Sequence, residues 1–310
     1  MSAPASGLGH HPRSTETAGG ALAVSAALLF GAVVVLSSSI FDRGLPVWSV
    51  LAVRFGVAAA VLAVILAVLR RPMLAAPGER TRIVVIAAFG YAIEASFFLA
   101  ALGHGTAAAV TLLFYTYPVF VAAGSWLVLR RGAPPRRTAV ALVLAVTGAA
   151  IVVAVGGDLV IEPVGVVLAV TSAVIITGYM LGADVVIRRT QPLTASLWVS
   201  ATVSVSTFAA AVATGQWRAP EGWSEWGTLL AMGVGTAGAF VTLLGGIRLI
   251  GAERSSIIGA MEPLAAALLA WAFLDEPVGA GVAAGGVLIL AAAILASVAQ
   301  HARAKEPAMP

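Results

Sequence analysis

Ten apolar runs of about 18–25 residues follow one another along the chain, each long enough to cross a hydrocarbon core of roughly 30 Å. They cover residues 19–41, 47–69, 83–103, 106–129, 138–156, 164–187, 193–215, 227–247, 255–274 and 279–300. In lipid every backbone N–H and C=O must be satisfied within the chain, so runs of this length are expected to be helices. Composition agrees. Of 310 residues, 60% are hydrophobic and 10% charged, with a mean hydropathy of +1.00, whereas a soluble domain carries about 25% charged residues. The expected fold class is an all-α integral membrane protein with ten transmembrane helices joined by short connections.

Lys and Arg orient the spans. With the N-terminus placed in the cytoplasm, 15 of the 18 basic residues fall on that side. They include Arg70, Arg71, Arg80 and Arg82, then Arg130, Arg131, Arg136 and Arg137, then Arg188, Arg189, Arg248 and Arg254. Only Arg43 and Arg218 fall in outer loops, which instead carry Asp42, Asp158, Glu162, Glu221, Glu225, Asp275 and Glu276. Such a bias predicts a multi-pass protein of the inner (plasma) membrane with both termini cytoplasmic. Residues 1–18 and 301–310 read as cytoplasmic tails, the first polar and disordered. The run 19–41 exceeds the roughly 7–15 residues of a signal-peptide core, so it is expected to stay as the first span.

A step of 145 residues places Tyr117-Pro118 under Glu262-Pro263, Trp126 under Trp271, and Arg130-Arg131 under Asp275-Glu276. A weaker echo joins Ala23-Val24-Ser25-Ala26 with Ala169-Val170-Thr171-Ser172. The matched helices are the fourth and the ninth, so the repeat unit is five helices, and an odd number turns the second copy upside down. Residues 19–156 and 163–300 are the expected inverted repeats. Repeats of this kind place a substrate site near the membrane midplane between the halves.

The residues that resist hydrocarbon mark that site. Of 15 prolines only Pro118 and Pro263 fall inside spans, where each frees a carbonyl one turn back and breaks the helix, whether as a simple kink or as part of a site. Glu262 precedes one of them, and a carboxylate in a span faces a cavity or a partner. Opposite Tyr117 it would bind a cation or a proton; alternatively it bridges the backbone that Pro263 frees. At about 1.5 Å per residue, Arg54 and Glu94 both lie roughly 12 Å from the outer surface, and an Arg54–Glu94 pair would relieve two costly burials. All four tyrosines, Tyr91, Tyr115, Tyr117 and Tyr179, lie in spans, where a phenol needs a hydrogen bond; together they read as the wall of a wet cavity, singly as helix packing. Asp184 is four residues before Arg188 and reads as a solvated helix pair. The tryptophans sit near span ends, as an interfacial belt does. Small residues in helix eight, and Gly281 and Gly285 in helix ten, allow close helix packing within the bundle or a homodimer.

Other chemistries find little support. The chain has no cysteine, which excludes disulfides and thiolate metal sites. Of four histidines, His10, His11 and His301 are in tails and His104 stands at a helix end, so no metal cluster, cofactor site or Ser–His–Asp set can be assembled. No P-loop couples the chain to ATP, no charged ring suggests a channel, and no aromatic-and-basic platform suggests nucleic acid. The expected partners are the lipid bilayer, a small-molecule substrate and a coupling proton. A membrane-embedded enzyme is the competing class.

Ten spans in two halves, each with a proline motif in its fourth helix, resemble the EamA-domain family of the drug/metabolite transporter superfamily. The residues that carry the resemblance are Thr116-Tyr117-Pro118-Val119-Phe120, Glu262-Pro263-Leu264 with Trp271 and Glu276, and Arg54-Phe55. The family often has an acidic residue where this chain has Arg130-Arg131. The resemblance implies a secondary transporter that exports amino acids or their derivatives; multidrug, cationic-compound or nucleoside-type substrates are the alternative. Glu262, Tyr117, Glu94, Arg54, Tyr91 and Tyr179 are the expected substrate-path residues, with Pro118 and Pro263 as the helix breaks.

The charge reversal between matched loops generates a clean test, because the chain carries no native thiol. Single cysteines at Gly132 and Gly279, labelled on intact cells with an impermeant reagent, are expected to differ: only the second reacts. Equal labelling of both refutes opposite sidedness.

Overall fold

The computed structural model describes residues 12–41, 43–105, 107–155, 160–274 and 279–298. Among these the elements are helical: α1 (Pro12–Phe41), α2 (Val47–Val68), α3 (Arg80–Val85), a π-helical segment (Ile86–Ala92), α4 (Ile93–Leu102), α5 (Ala107–Phe114), α6 (Tyr117–Leu127), α7 (Arg136–Val155), α8 (Pro163–Val186), α9 (Pro192–Ala213), α10 (Gly222–Gly259), α11 (Glu262–Leu274) and α12 (Ala280–Val298). One isolated bridge joins Gly105 and Ile161. Among the described residues eight helices are long and apolar enough to cross a membrane, and Glu262–Phe273 and Ala280–Ala296 are shorter apolar helices.

The first span is longer than expected, and the breaks fall where the sequence placed them. Helix α1 begins at Pro12, inside the stretch read as a tail. Helix α10 holds two helical pieces that meet at a kink at Gly251 (φ 80°, ψ 164°), inside the connection expected between the eighth and ninth spans. That backbone geometry suits glycine, which has no Cβ to clash. The fourth and ninth segments are each interrupted before their proline, so α6 starts at Tyr117 and α11 at Glu262. These two starts are one 145-residue step apart.

Helix pairing follows the same step. Along α1 and α10, Gly19 meets Leu249 and Ile250, Leu22 meets Gly245, Leu29 meets Gly238 and Val33 meets Gly235. One index rises as the other falls, so these helices run antiparallel. Between the third segment and α8 the series is Ile86 with Gly182, Gly90 with Tyr179 and Glu94 with Ser172, again antiparallel. Helix α2 packs on α9, and α7 on α12. At the α7–α12 crossing, a Cβ at Gly148 would lie 2.7 Å from the Gly285 carbonyl, and one at Gly285 would lie 2.6 Å from the Gly148 carbonyl. The GxxxG of the tenth span therefore packs within the chain. Lipid offers helices little hydrophobic reason to associate, so small residues that admit close backbone contact supply much of the packing.

Polar clasps join the ends of α2 and α9. On the face with the arginine-rich connections, Thr194 Oγ1 donates to the Pro72 carbonyl (2.8 Å) and Trp198 Nε1 to that of Met73 (2.9 Å). There the buried Glu79 carboxylate accepts from the backbone N–H groups of Arg188, Arg189 and Thr190 and from the Thr190 hydroxyl. Burial alone would push this carboxyl up, but the hydrogen bonds from Thr190, Arg189 and Arg188 outweigh it and hold it below the ordinary carboxylate range. On the opposite face, Ser49 Oγ donates to the Gln216 carbonyl (3.1 Å) and accepts from the Arg218 N–H (2.9 Å). Arg218 Nη2 bonds Glu225 Oε1 at 3.1 Å. The end of α2 thus meets the start of α9, and the end of α9 the start of α2, so this pair too is antiparallel.

Two expected contacts differ. Asp184 pairs with Arg131, across from α8 to the connection after α6, instead of with Arg188 on its own helix. His104 is not alone, its Nδ1 lying 3.0 Å from Glu162 Oε2. Asp42, the Gly156-Gly157-Asp158 turn, Asp275-Glu276, His10, His11 and His301 lie outside the described residues. Gly132 has φ 83°, so its exposed neighbour Ala133 is the less strained labelling position.

The glycine contacts yield a paired stability test. Gly148→Ala forces backbone apart at the α7–α12 crossing and is expected to lose about 1–3 kcal/mol, as overpacking does. At Gly178, in mid-helix, an added Cβ meets nothing within 4 Å, so Gly178→Ala is expected to gain up to about 1 kcal/mol from helix propensity. Thermal melting in detergent reads both, and a neutral Gly148→Ala would refute the tight crossing.

Candidate functional site

The backbone interruptions set where polar groups collect. Pro118 and Pro263 cannot donate to the carbonyl four residues back, and at each break the chain substitutes shorter-range bonds. Thr116 N–H donates to the Leu113 carbonyl and Met261 N–H to that of Ile258, donors and acceptors each one 145-residue step apart. The π-helical segment does comparable work in the third span. Its wider turn carries Gly90 and Tyr91 and is followed by Glu94, and such segments re-aim side chains at functional sites.

Around these points the structure gathers Arg54, Tyr91, Glu94, Tyr115 and Glu262. Arg54, half-buried on α2, donates from Nε to Thr236 Oγ1 at 2.8 Å and also hydrogen-bonds Tyr91. Its guanidinium carbon stands 4.9 Å from the centroid of the Phe55 ring, within cation–π range. Glu94 is buried and accepts from Ser172 Oγ at 2.9 Å. Glu262, half-buried at the start of α11, hydrogen-bonds Tyr115. Both carboxylates are close enough to feel the Arg54 charge, yet among the described residues Arg54 makes no salt bridge with either. The expected Arg54–Glu94 pair is therefore replaced by neutral hydroxyl partners. Hydroxyls from Thr236, Tyr91 and Ser172 satisfy both ends without bringing them together.

Aromatic rings wall the cluster. Tyr91 packs edge-on against Tyr179, Phe55 and Phe240, with centroids 5.5, 5.6 and 5.1 Å away, and Phe30 packs on Phe240 at 5.6 Å. These rings come from α1, α2, the π-helical segment, α8 and α10. Tyr179 and Tyr117 are set apart from the charges. The Tyr179 hydroxyl is buried with no hydrogen-bond partner in the structure. Tyr117 is buried against the second half of α10, donating to the Ser256 carbonyl at 3.4 Å, and so does not face Glu262 as expected; Tyr115 does.

Four participants escaped the sequence reading: Tyr115 as the Glu262 partner, Ser172, Thr236 and Phe240. Thr236 had a signal, since Gly90-Tyr91-Ala92 and Gly235-Thr236-Ala237 stand one 145-residue step apart. Arg54 thus bonds equivalent positions of both halves. Ser172 and Phe240 are ordinary residues of apolar helices and carried no such mark.

The geometry makes a charge swap informative. Arg54→Glu or Glu94→Arg alone is expected to lose about 1.5–3 kcal/mol for each charged hydrogen bond broken. The double swap is expected to be no more stable than the worse single, because neither new charge meets the other. Melting or folded yield measures it, and recovery in the double would establish a direct pair.

Residues 17–154 and 163–298 each match the sequence profile of the EamA-like transporter family. An uncharacterized transporter of Synechocystis sp. (strain ATCC 27184 / PCC 6803 / Kazusa) is 33% identical over 181 residues, 55% of this chain. The match spans about half (52%) of that relative's length. A solved crystal structure of a protein superposes with a TM-score of 0.78 at 20% identity, covering 94% of this chain and 99% of the other, which shows a shared fold. With two repeats of the profile covering most of its length and a helical multi-pass architecture, the chain belongs to the EamA-like transporter family.

Proposed function

We propose that the chain is a secondary active transporter that exports small metabolites bearing an ammonium group, such as amino acids or their derivatives, by alternating access. In this reading ten spans form two inverted five-helix repeats in the inner membrane, with both termini cytoplasmic and the arginine-rich face inward. The antiparallel packing of α2 with α9, and the matched breaks before Tyr117 and Glu262, support the inversion.

The observation that carries the proposal is Glu262. It sits where a spanning helix is broken, beside Arg54 and Glu94, among rings drawn from both halves. Two carboxylates near one guanidinium favour a cationic group on the ligand, and the rings add a face for cation–π contact. The same features also suit cationic drugs, which is the second reading. A carboxylate that holds either a proton or an ammonium, but not both, exchanges one for the other across the membrane. Arg54 and Tyr115 keep its geometry fixed while this happens. No cofactor enters the scheme.

Glu262→Gln keeps shape and the Tyr115 hydrogen bond but removes the exchangeable charge. In sealed vesicles with purified protein and no ATP, a pH gradient is expected to stimulate wild-type transport of labelled amino acids. The Gln variant is expected to fold and to lose that stimulation by about tenfold or more, equivalent to ~1.4 kcal/mol of coupling. An unchanged gradient response would make Glu262 structural.

A further inference from the structure

A cavity of about 270 Å³ opens between the connection after α6 and the Gly251 turn of α10, on the arginine-rich face. Ser125, Arg131, Thr138, Gly251, Glu253 and Arg254 line it. The residues of this wall have work besides lining it. Arg131 is drawn to Asp184 on α8, and Arg254 donates to the Ala296 carbonyl on α12, so a cavity lined by α6, the connection after it, α7 and α10 is tied to both neighbouring helices. Hydroxyls and charges of both signs suit a small polar solute.

Two helical pieces lead inward from this cavity to the central cluster. Helix α6 runs from Ser125 back to Tyr117, about 12 Å at ~1.5 Å per residue. Residues 252–259 of α10 run from the cavity wall toward Glu262. Between them stands one side chain. The Tyr117 ring crosses from α6, its hydroxyl on the Ser256 carbonyl, and a Cβ at Gly259 would lie 2.7 Å from that hydroxyl. Val121, Ser256, Ile257 and Ile258 are buried around it. The packing holds a polar misfit as well: Ser255 Oγ, next to Arg254, is buried without a hydrogen-bond partner. A buried hydroxyl left unpaired favours any state that returns water to it.

We infer that this cavity is the antechamber of the transport path on the arginine-rich face, taking the small polar solute before it reaches Glu262, and that Tyr117 is the gate between the two. The inference rests on the transport reading above. Closed, the ring spans the gap between the two broken segments. Opened, it leaves the Ser256 carbonyl and the adjacent glycine, and water and solute reach the central cluster. Gly259 is the socket, since no other residue leaves room for the hydroxyl.

The cysteine-free chain makes the gate measurable without a substrate. Single cysteines at Thr138 and at Met261 are treated with an impermeant maleimide in membrane vesicles that expose the arginine-rich face. Thr138→Cys is expected to react and Met261→Cys, beside Glu262, to stay protected. Adding Tyr117→Ala is expected to speed the Met261→Cys reaction about tenfold, in proportion to the open fraction, while Tyr117→Phe, which keeps the ring, preserves protection. Gly259→Ala displaces the hydroxyl and is expected to open the path with the ring still present; combined with Tyr117→Phe it is expected to close again. Fast labelling of Met261→Cys in the chain that keeps both Tyr117 and Gly259 overturns the gate. So does unchanged protection in both Tyr117→Ala and Gly259→Ala, the second covering the case in which the first fails to fold. An unreactive Thr138→Cys overturns the antechamber. Labelling succeeds or fails independently of the vesicle transport measured with Glu262→Gln.

Discussion

A carbonyl without a partner is costly in hydrocarbon, and each spanning proline creates one. Pro118 and Pro263 place this cost at matching points of the two halves, and the rest of the polar chemistry is arranged about it. A helix that must break there cannot be covered by lipid. It has to face protein or water, so the two broken segments are held inside the bundle by α1 and α8. Once they face inward, the break becomes a place where a carboxylate such as Glu262 is tolerable. The same break leaves Tyr117 at the free end of α6, able to reach across to the Ser256 carbonyl.

Much of this was legible in the chain, and the boundary of what was legible has a physical cause. The apolar runs and the proline pair are local signals, and they reappear in the structure as helices and as the breaks before Tyr117 and Glu262. The 145-residue echo also predicted the coincidence of the two breaks. What failed were pairings. Arg54 and Glu94 share a depth but are served by Thr236, Tyr91 and Ser172 instead, because depth along an axis says nothing about rotation around it. Asp184 and Arg188 have helical spacing, yet α8 ends at Val186 before Arg188, and Arg131 reaches Asp184 from another segment. The π-helical turn had no mark at all, as a run such as Ile86–Ala92 is equally good α-helix by composition.

The scaffold is close to symmetric while the site is not. Tyr91 and Thr236 occupy equivalent positions and both bond Arg54; Tyr117 and Glu262 are equivalent but chemically unlike; Glu94 corresponds to Ala239. Symmetry in the scaffold has an energetic use. Two states related by exchanging the roles of the halves contain similar packing, so they differ by little free energy, and a ligand or proton of modest differential affinity can shift the balance. Asymmetry in the site then decides which species does the shifting. A scaffold built from unrelated halves would need that near-equality to arise separately at each interface.

The clasps at the ends of α2 and α9 fit this division of labour. Glu79 receives four hydrogen bonds from one short stretch, and Ser49 and Arg218 are held comparably at the other end. Both clasps join the two halves, one at each face, so neither half separates at this seam without breaking several charged or backbone hydrogen bonds. Beside the central cluster the bonds are looser: Tyr117 to Ser256 is 3.4 Å, Thr177 to Tyr117 is 3.4 Å, and the Tyr179 and Ser255 hydroxyls are unpaired. Strength is therefore concentrated along α2 and α9, and slack around α6, α8 and the second half of α10. In the alternating-access cycle proposed above, a body pinned along one seam and loose beside it would rock about the pinned helices, and the loose contacts are the ones that such rocking would break. That places the moving parts on the proline-broken helices, where the carbonyl problem had already forbidden lipid.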